Sequence, residues 1–384
     1  MLKTKLFLAI IMFQIFSVPV FVAKAQPAAA NKIPPRFYWD RRPFGCLTNM
    51  NNYATQHPEK CIPEENWPTY AESKKRIQNL LNNADAEDLP VIQMAEDSIL
   101  AQGKKKFATG EYVFEPWTES MAYQFSSAYR FNPEFTNPRA KFIDAWVDYQ
   151  KGQGYSAIAK AMAYYGKATD RFNSRYPKNN SPGVIVNYAK YLLQANKMLD
   201  AASAQIKKTA VWYEYKLKIV YQHPQLKAGK EKLLKQAAKA WPTIPDFYAI
   251  AYAYSNPRWG GSAKKMRSIL KAAVDKTKSK LGVAMYPQVI FKARLVQYGF
   301  EIPFQEIDWP LMKQGFQDYQ KYYSGNSYMY FWFLNTACKM GDKKEALRLF
   351  PLYEKFKQGE DADVIKACRT FAFSKGGEKA QPGI

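Results

Sequence analysis

From Pro68 onward, apolar residues return at steps of three and four, and that spacing restricts the fold more than any other feature of the chain. A helix turns once in about 3.6 residues, so residues spaced this way share one face. Ile158, Ala161, Met162 and Tyr165 form one such stripe, and Val184, Tyr188, Tyr191, Ala195 and Leu199 a second. Ile206, Ala210, Tyr213, Leu217 and Val220 form a third, and Met266, Ile269, Leu270 and Ala273 a fourth. Breakers separate them: the Tyr176–Pro182 segment with two prolines, His223-Pro224, Trp241-Pro242 and Trp259-Gly260-Gly261. No run of strand-like alternation competes. Helices joined by short turns predict an all-α protein of stacked antiparallel helical hairpins.

The C-terminal part sharpens this expectation. Asn335 to Leu347 places a small residue before a Gly341-Asp342 turn and opens the next helix with Glu345-Ala346-Leu347. Ala337 and Ala346 let two helices approach closely, and Leu349, Phe350 and Tyr353 continue the apolar face. This segment resembles the middle of a tetratricopeptide repeat. No strict period runs through the chain, so the repeats are expected to be divergent. Residues 67–300 are read as the main helical domain, 301–374 as tetratricopeptide-like helices and 375–384 as a flexible tail.

The N-terminus reads as a secretory signal peptide. Lys3 and Lys5 precede an apolar stretch from Leu6 to Val22, and Ala23-Lys24-Ala25 supplies a small-x-small cleavage pattern. A cut after Ala25 is expected, and the other reading is an uncleaved membrane anchor. Residues 26–66 carry Pro27, Pro34, Pro35, Pro43, Pro58 and Pro63 and read as an extended arm. No later stretch is long and apolar enough to span a bilayer, so no transmembrane span is expected in the mature chain. Export to the periplasm of a Gram-negative bacterium is the expected localisation. It argues against nucleotides and nucleic acid as ligands.

The formal net charge is +23, and removal of the signal segment takes away Lys3, Lys5 and Lys24 but no acid. The charge is uneven: residues 59–119 are richer in Asp and Glu, whereas residues 224–280 are dominated by Lys and Arg. Outside the cytoplasm a basic surface favours anionic partners such as lipopolysaccharide, cell-wall polymers or acidic proteins. The alternative is a solvated lysine-rich surface with no dedicated partner.

Four cysteines, Cys46, Cys61, Cys338 and Cys368, are an even number in a chain read as exported, which predicts disulfides. Cys46 with Cys61 is the natural local pair, and Cys338 with Cys368 would then tie two C-terminal helices together. The last two read equally as buried free thiols, since both sit among apolar helical residues.

One turn is more distinctive. Ala249 to Ser262 ends in Pro257-Arg258-Trp259-Gly260-Gly261-Ser262 and leads into a basic amphipathic helix through Met266 and Leu270. This segment resembles the signature of a bacterial family of exported proteins of unknown function, in which a Pro-Arg-Trp-Gly-Gly-Ser turn joins two helices. Arg175 to Leu199 is similar to the part that precedes it in that family, and the resemblance covers residues 120–300. It implies a helical-repeat fold and no particular activity. Read physically, Pro257 ends one helix, the two glycines allow unusual backbone angles, and Ser262 caps the next helix. Trp259 fits the groove between helices. The functional alternative is an anion or glycan site, with the helix N-terminus, Arg258, Lys264, Lys265 and Arg267 supplying charge and Trp259 a stacking face.

Chemistry is otherwise sparse. His57 and His223 stand alone in loops, so neither a metal site nor a nucleophilic triad is expected, and no cofactor fingerprint occurs. Glu119, before an aromatic-rich helix, is the one residue that would serve as the single acid of a cell-wall hydrolase. Aromatics make up 16 % of the chain, and most read as core. The run Tyr328-Met329-Tyr330-Phe331-Trp332-Phe333 is denser. It lines either a concave surface with Tyr328, Tyr330 and Trp332 as anchors, or a core helix buried on all sides. The chain is therefore expected to be a non-catalytic scaffold for an envelope protein. A binding protein for an anionic envelope polymer is the alternative, and a hydrolase the weakest.

Overall fold

A computed structural model describes residues 70–107, 110–129, 137–174, 176–296, 306–323, 327–356 and 362–374. Residues 1–25 read as a signal peptide, residues 26–66 read as an arm with Cys46 and Cys61, and residues 375–384 read as a tail lie outside the described residues.

The all-α expectation holds: fifteen α-helices and no strand are present among the described residues, with one isolated bridge between Lys106 and Tyr112. The chain divides into two compact units. The first takes the described residues to Phe172 together with Ser181–Ile219, and the second takes Asn173–Asn180 and the chain from Val220 onward. Position 300, read from the sequence as a domain boundary, falls within the second unit, where the helices on either side of it pack together.

The first unit holds α1 (Tyr70–Asn83), α2 (Leu89–Gln102), α3 (Glu115–Phe125), α4 (Pro138–Tyr149), α5 (Tyr155–Thr169) and α6 (Pro182–Ala201). Its chain then enters α7 (Ala210–Gln222), within which the division falls. Helix starts carry the expected signals: proline occupies the first turn of α2, α3, α4 and α6, and the Asn137 side chain accepts from Arg139 N at 2.9 Å to cap α4. Helix α3 packs on α1 and on α5 as well as on its neighbour α4, while α5 lies along α6. The core stripe read from α5 is buried at Ile158, Ala161 and Met162. Trp117 of α3 meets Tyr155 of α5 edge-on, with ring centres 6.0 Å apart.

The second unit holds α8 (Lys230–Ala240), α9 (Pro245–Ala253), α10 (Ala263–Leu281), α11 (Met285–Val296), α12 (Trp309–Tyr322), α13 (Ser327–Lys339), α14 (Lys343–Phe356) and α15 (Ala362–Phe373). Next-but-one packing recurs beside the packing of neighbours: α9 packs on α11, α10 on α12, and α13 on α15. Each hairpin thus buries its apolar faces against the next, which is how stacked helical repeats build a continuous core. In α10 the expected stripe of Met266, Ile269, Leu270 and Ala273 is buried throughout.

The Gly341-Asp342 turn works as its sequence implies. Gly341 takes φ +70°, which ends α13, and Asp342 Oδ1 accepts from Glu345 N at 3.0 Å to open α14. Cys338 of α13 and Cys368 of α15 are disulfide-bonded, with Cα atoms 5.6 Å apart. These two cysteines are therefore paired rather than free, and the link closes a chain separation of 30 residues. Among the described residues no helix is long and apolar enough to cross a membrane.

Candidate functional site

The signature turn joins α9 to α10. Asn256 caps a single 3-10 turn, Pro257–Trp259, by accepting from Arg258 N at 2.9 Å. Gly260 then takes φ +80°, a left-handed conformation that side chains resist, and its N–H closes on Pro257 O at 3.0 Å. Gly261 serves a different need: a Cβ there would collide with the Ser255 carbonyl. Ser262 caps α10 by accepting from Lys265 N at 3.2 Å. The Trp259 ring is half-buried and stands edge-on to Tyr254, at the end of α9, with centres 4.9 Å apart. The glycines and Ser262 take the tasks that the sequence assigned them, but Pro257 does not end α9: that helix stops at Ala253, and Pro257 opens the 3-10 turn, whose first position needs no N–H.

The charges of the site are less available than their number suggests. Lys265 pairs with Glu231 of α8 at 2.9 Å, and Arg267 pairs with Glu306 at 3.1 Å. These acids come from elements remote in sequence, so no local pattern predicted them. Lys264 is exposed, and Arg258 is half-buried. The N–H of Lys265 in the first turn of α10 is already taken by Ser262. The turn therefore ties helices together and offers an anion less positive field than its sequence implies.

The aromatic run of α13 resolves toward the core. Tyr330 is 4 % exposed and Trp332 9 %, with Phe331 and Phe333 buried beside them. Phe333 stacks on Phe316 of α12, and Tyr330 meets the same ring edge-on at 5.7 Å. The guanidinium of Arg294 lies 3.7 Å from the Trp332 ring centre, a cation–π contact. Tyr330 and Trp332 are thus not surface anchors, because the facing helices supply aromatic partners on their inner sides. The Tyr328 side chain lies outside what is described.

Glu119, the hydrolase candidate, sits on α3 in an ion pair with Lys74 Nζ at 2.6 Å.

Two features escaped the sequence. Glu96 on α2 is 1 % exposed. Burial pushes its carboxyl well above the usual range and the nearby Asp97 adds to this, while a hydrogen bond from Gln150 opposes them. Gln150 Nε2 donates to Glu96 Oε2 and to Gln93 Oε1, and Gln150 Oε1 accepts from Ser156 N at 3.0 Å. One amide thereby links α2 to the first turn of α5. Glu96 Oε1 and Ser156 Oγ have no hydrogen-bond partner. Glu96 is enclosed rather than set in a cleft, so it meets water only when the helices part. The glutamines that surround it carry no sequence signal that would have singled them out.

The second feature is a cavity of about 370 Å³ beside α6, walled by Val147, Ala157, Met198 and Ala201. The α4–α5 turn closes one side, and there Lys151 takes φ +52°, the one non-glycine residue with positive φ among the described residues. Apolar residues of this size read from sequence as ordinary core. Comparison with known proteins returned no matching family model, and neither a curated protein nor a solved structure matches the chain.

Proposed function

We propose that this chain is an exported, non-catalytic interaction scaffold that docks a protein partner in the cell envelope, as an accessory to a larger envelope or secretion assembly. The observation that carries this reading is the packing of helices on their next-but-one neighbours in both units. Hairpins stacked in this way expose long helix faces, which such architectures use as binding surfaces. The tetratricopeptide type of the repeats belongs to the same proposal. So does membership of the family with the Pro257–Ser262 turn, which rests on those residues alone.

Export to the periplasm is supported by the Leu6–Val22 segment with its Ala25 cleavage pattern and by the Cys338–Cys368 bridge, since disulfides persist in oxidising compartments. The anionic-polymer alternative weighs less, because Lys265 and Arg267 already have carboxylate partners. Crosslinking of the full chain in the cells that make it, followed by mass spectrometry, tests the scaffold reading. A defined set of envelope proteins is the expected catch. Recovery of polymer fragments alone would overturn it in favour of the alternative. Sequencing of the purified N-terminus tests export, with Gln26 expected as the first residue.

A further inference from the structure

Helix α6 of the first unit has an inner and an outer apolar face. Tyr188, Leu192, Ala195 and Leu199 are buried on the inner one. On the opposite side Val186 is 65 % exposed and Leu193 39 %, and Lys190 and Lys197 are exposed between and beyond them. Positions 186, 190, 193 and 197 follow at steps of four, three and four, so they form one line down the helix. Ile185, 45 % exposed, flanks its upper end. A soluble helix normally turns polar residues outward, and this one presents aliphatic side chains alternating with lysines. The first acid along this side is Asp200, which Lys216 of α7 already neutralises at 2.5 Å.

The lower end of the same helix leads to the cavity. Met198 and Ala201 wall it together with Val147 and Ala157, while Lys151 and Asp148 bring its charges. Holding Lys151 in the left-handed region costs about 1 kcal/mol relative to glycine, and that backbone conformation sets a lysine in the lining. Fifteen residues separate Val186 from Ala201, roughly 22 Å along the helix. Exposed aliphatics, Lys190 and Lys197 therefore run down one side of α6, and the apolar hollow with Lys151 opens on its flank at the lower end.

We propose that this side of α6 and the cavity at its end dock an acidic amphipathic helix of a partner protein. An apolar side chain of that helix fills the cavity, further apolar residues lie along Leu193 and Val186, and its carboxylates meet the three lysines. About four turns of helix cover the distance. The hollow favours a protein over an anionic bilayer, because a bilayer surface offers no single side chain to fill it. The excess of lysine over acid selects an acidic segment over a basic one.

This inference rests on the scaffold reading above, and its test separates the two. A photo-crosslinking amino acid is placed singly at Val186, Leu193 or Ala201 of the full chain in the cells that make it, and the attached peptides are sequenced. One acidic amphipathic segment of one protein is expected from all three positions. Adding Lys190→Glu and Lys197→Glu should cut the yield from the Leu193 position about tenfold. Helix content of that variant is checked by circular dichroism, and Lys190→Gln with Lys197→Gln gives a milder second reading. Adducts with lipid only, with a basic segment, or with unrelated proteins would overturn the proposal. Absence of adducts while lysine crosslinking of the whole chain still captures its partner would overturn this surface and leave the scaffold standing. Absence of both would sink the two together.

Discussion

The indole nitrogen of Trp309, at the start of α12, donates to Asp342 Oδ2 at 2.9 Å, and Lys313 Nζ reaches the same oxygen at 2.9 Å. The other oxygen caps α14. One carboxylate thus fastens two helices that the sequence places 33 residues apart. Burial alone would raise its pKa, but the bonds from Lys313, Glu345 N and Trp309 outweigh it and hold the group below the usual carboxylate range. A depressed folded pKa stabilises above the unfolded value, and that contribution disappears as pH falls through the folded one. Asp342→Ala is expected to cost about 2 kcal/mol at neutral pH, combining the lost cap with stranded donors. Urea unfolding measures it, and a loss below about 0.5 kcal/mol would deny Asp342 this role.

Glu96 acts with the opposite sign. Its folded pKa is raised, so its neutral form is fully compatible with the fold below the unfolded carboxyl pKa. Stability is then lost as pH rises toward and through the folded value. Among the described residues the groups recorded against it are Gln150, Tyr155 and the like-charged Asp97, none of them a cation. Glu96→Gln should flatten the fall of stability as pH rises above the ordinary carboxyl range while leaving the acid limb unchanged. Thermal melts across that range decide the matter, and parallel curves for variant and parent would refute it.

Gly260 and Gly261 are adjacent yet should respond differently to alanine. At Gly260 a Cβ meets open space, and the cost is the left-handed backbone alone, about 1 kcal/mol. At Gly261 the methyl would strike the Ser255 carbonyl, so the turn itself must open, and about 2–3 kcal/mol is expected. Equal losses in urea unfolding would show that close approach is not what Gly261 secures.

Reversing charge on the first turns of α10 now divides into two experiments. Lys264→Glu touches no ion pair that the structure records and should leave stability unchanged within about 0.5 kcal/mol. Lys265→Glu with Arg267→Glu sets like charges against Glu231 and Glu306 and should cost up to about 1 kcal/mol, less at high salt. If Lys264→Glu alone abolishes partner capture, the basic turn regains a place as a binding surface.

Periodicity revealed the helices because burial enforces it: Met266, Ile269, Leu270 and Ala273 are all inside as their spacing implies. Breakers marked the turns for the same reason, since Gly260 and Gly341 adopt angles that few other residues accept. The reading was weaker where a residue's role depends on what faces it. Tyr330 and Trp332 look alike on a surface or in a core, and only Phe316 and Arg294, brought from other helices, decide between them. Lys265 and Arg267 read as free charge because Glu231 and Glu306 are distant in sequence. The stripe of α6 was identified by its inner face, while Val186 and Leu193 passed unnoticed because an aliphatic residue in a helix is expected to point inward.

Stacked hairpins have one weakness that the Cys338–Cys368 bridge addresses. A unit in the middle of a stack is held from two sides, and the last one from one side only. Helix α15 is the final helix described, and its Cys368 is fastened to α13, across the intervening α14. Oxidised, α15 is tied to α13 and is expected to resist peeling away; reduced, it has only its packing to hold it. Resistance of α15 to a protease is therefore expected to follow the thiol chemistry of its surroundings.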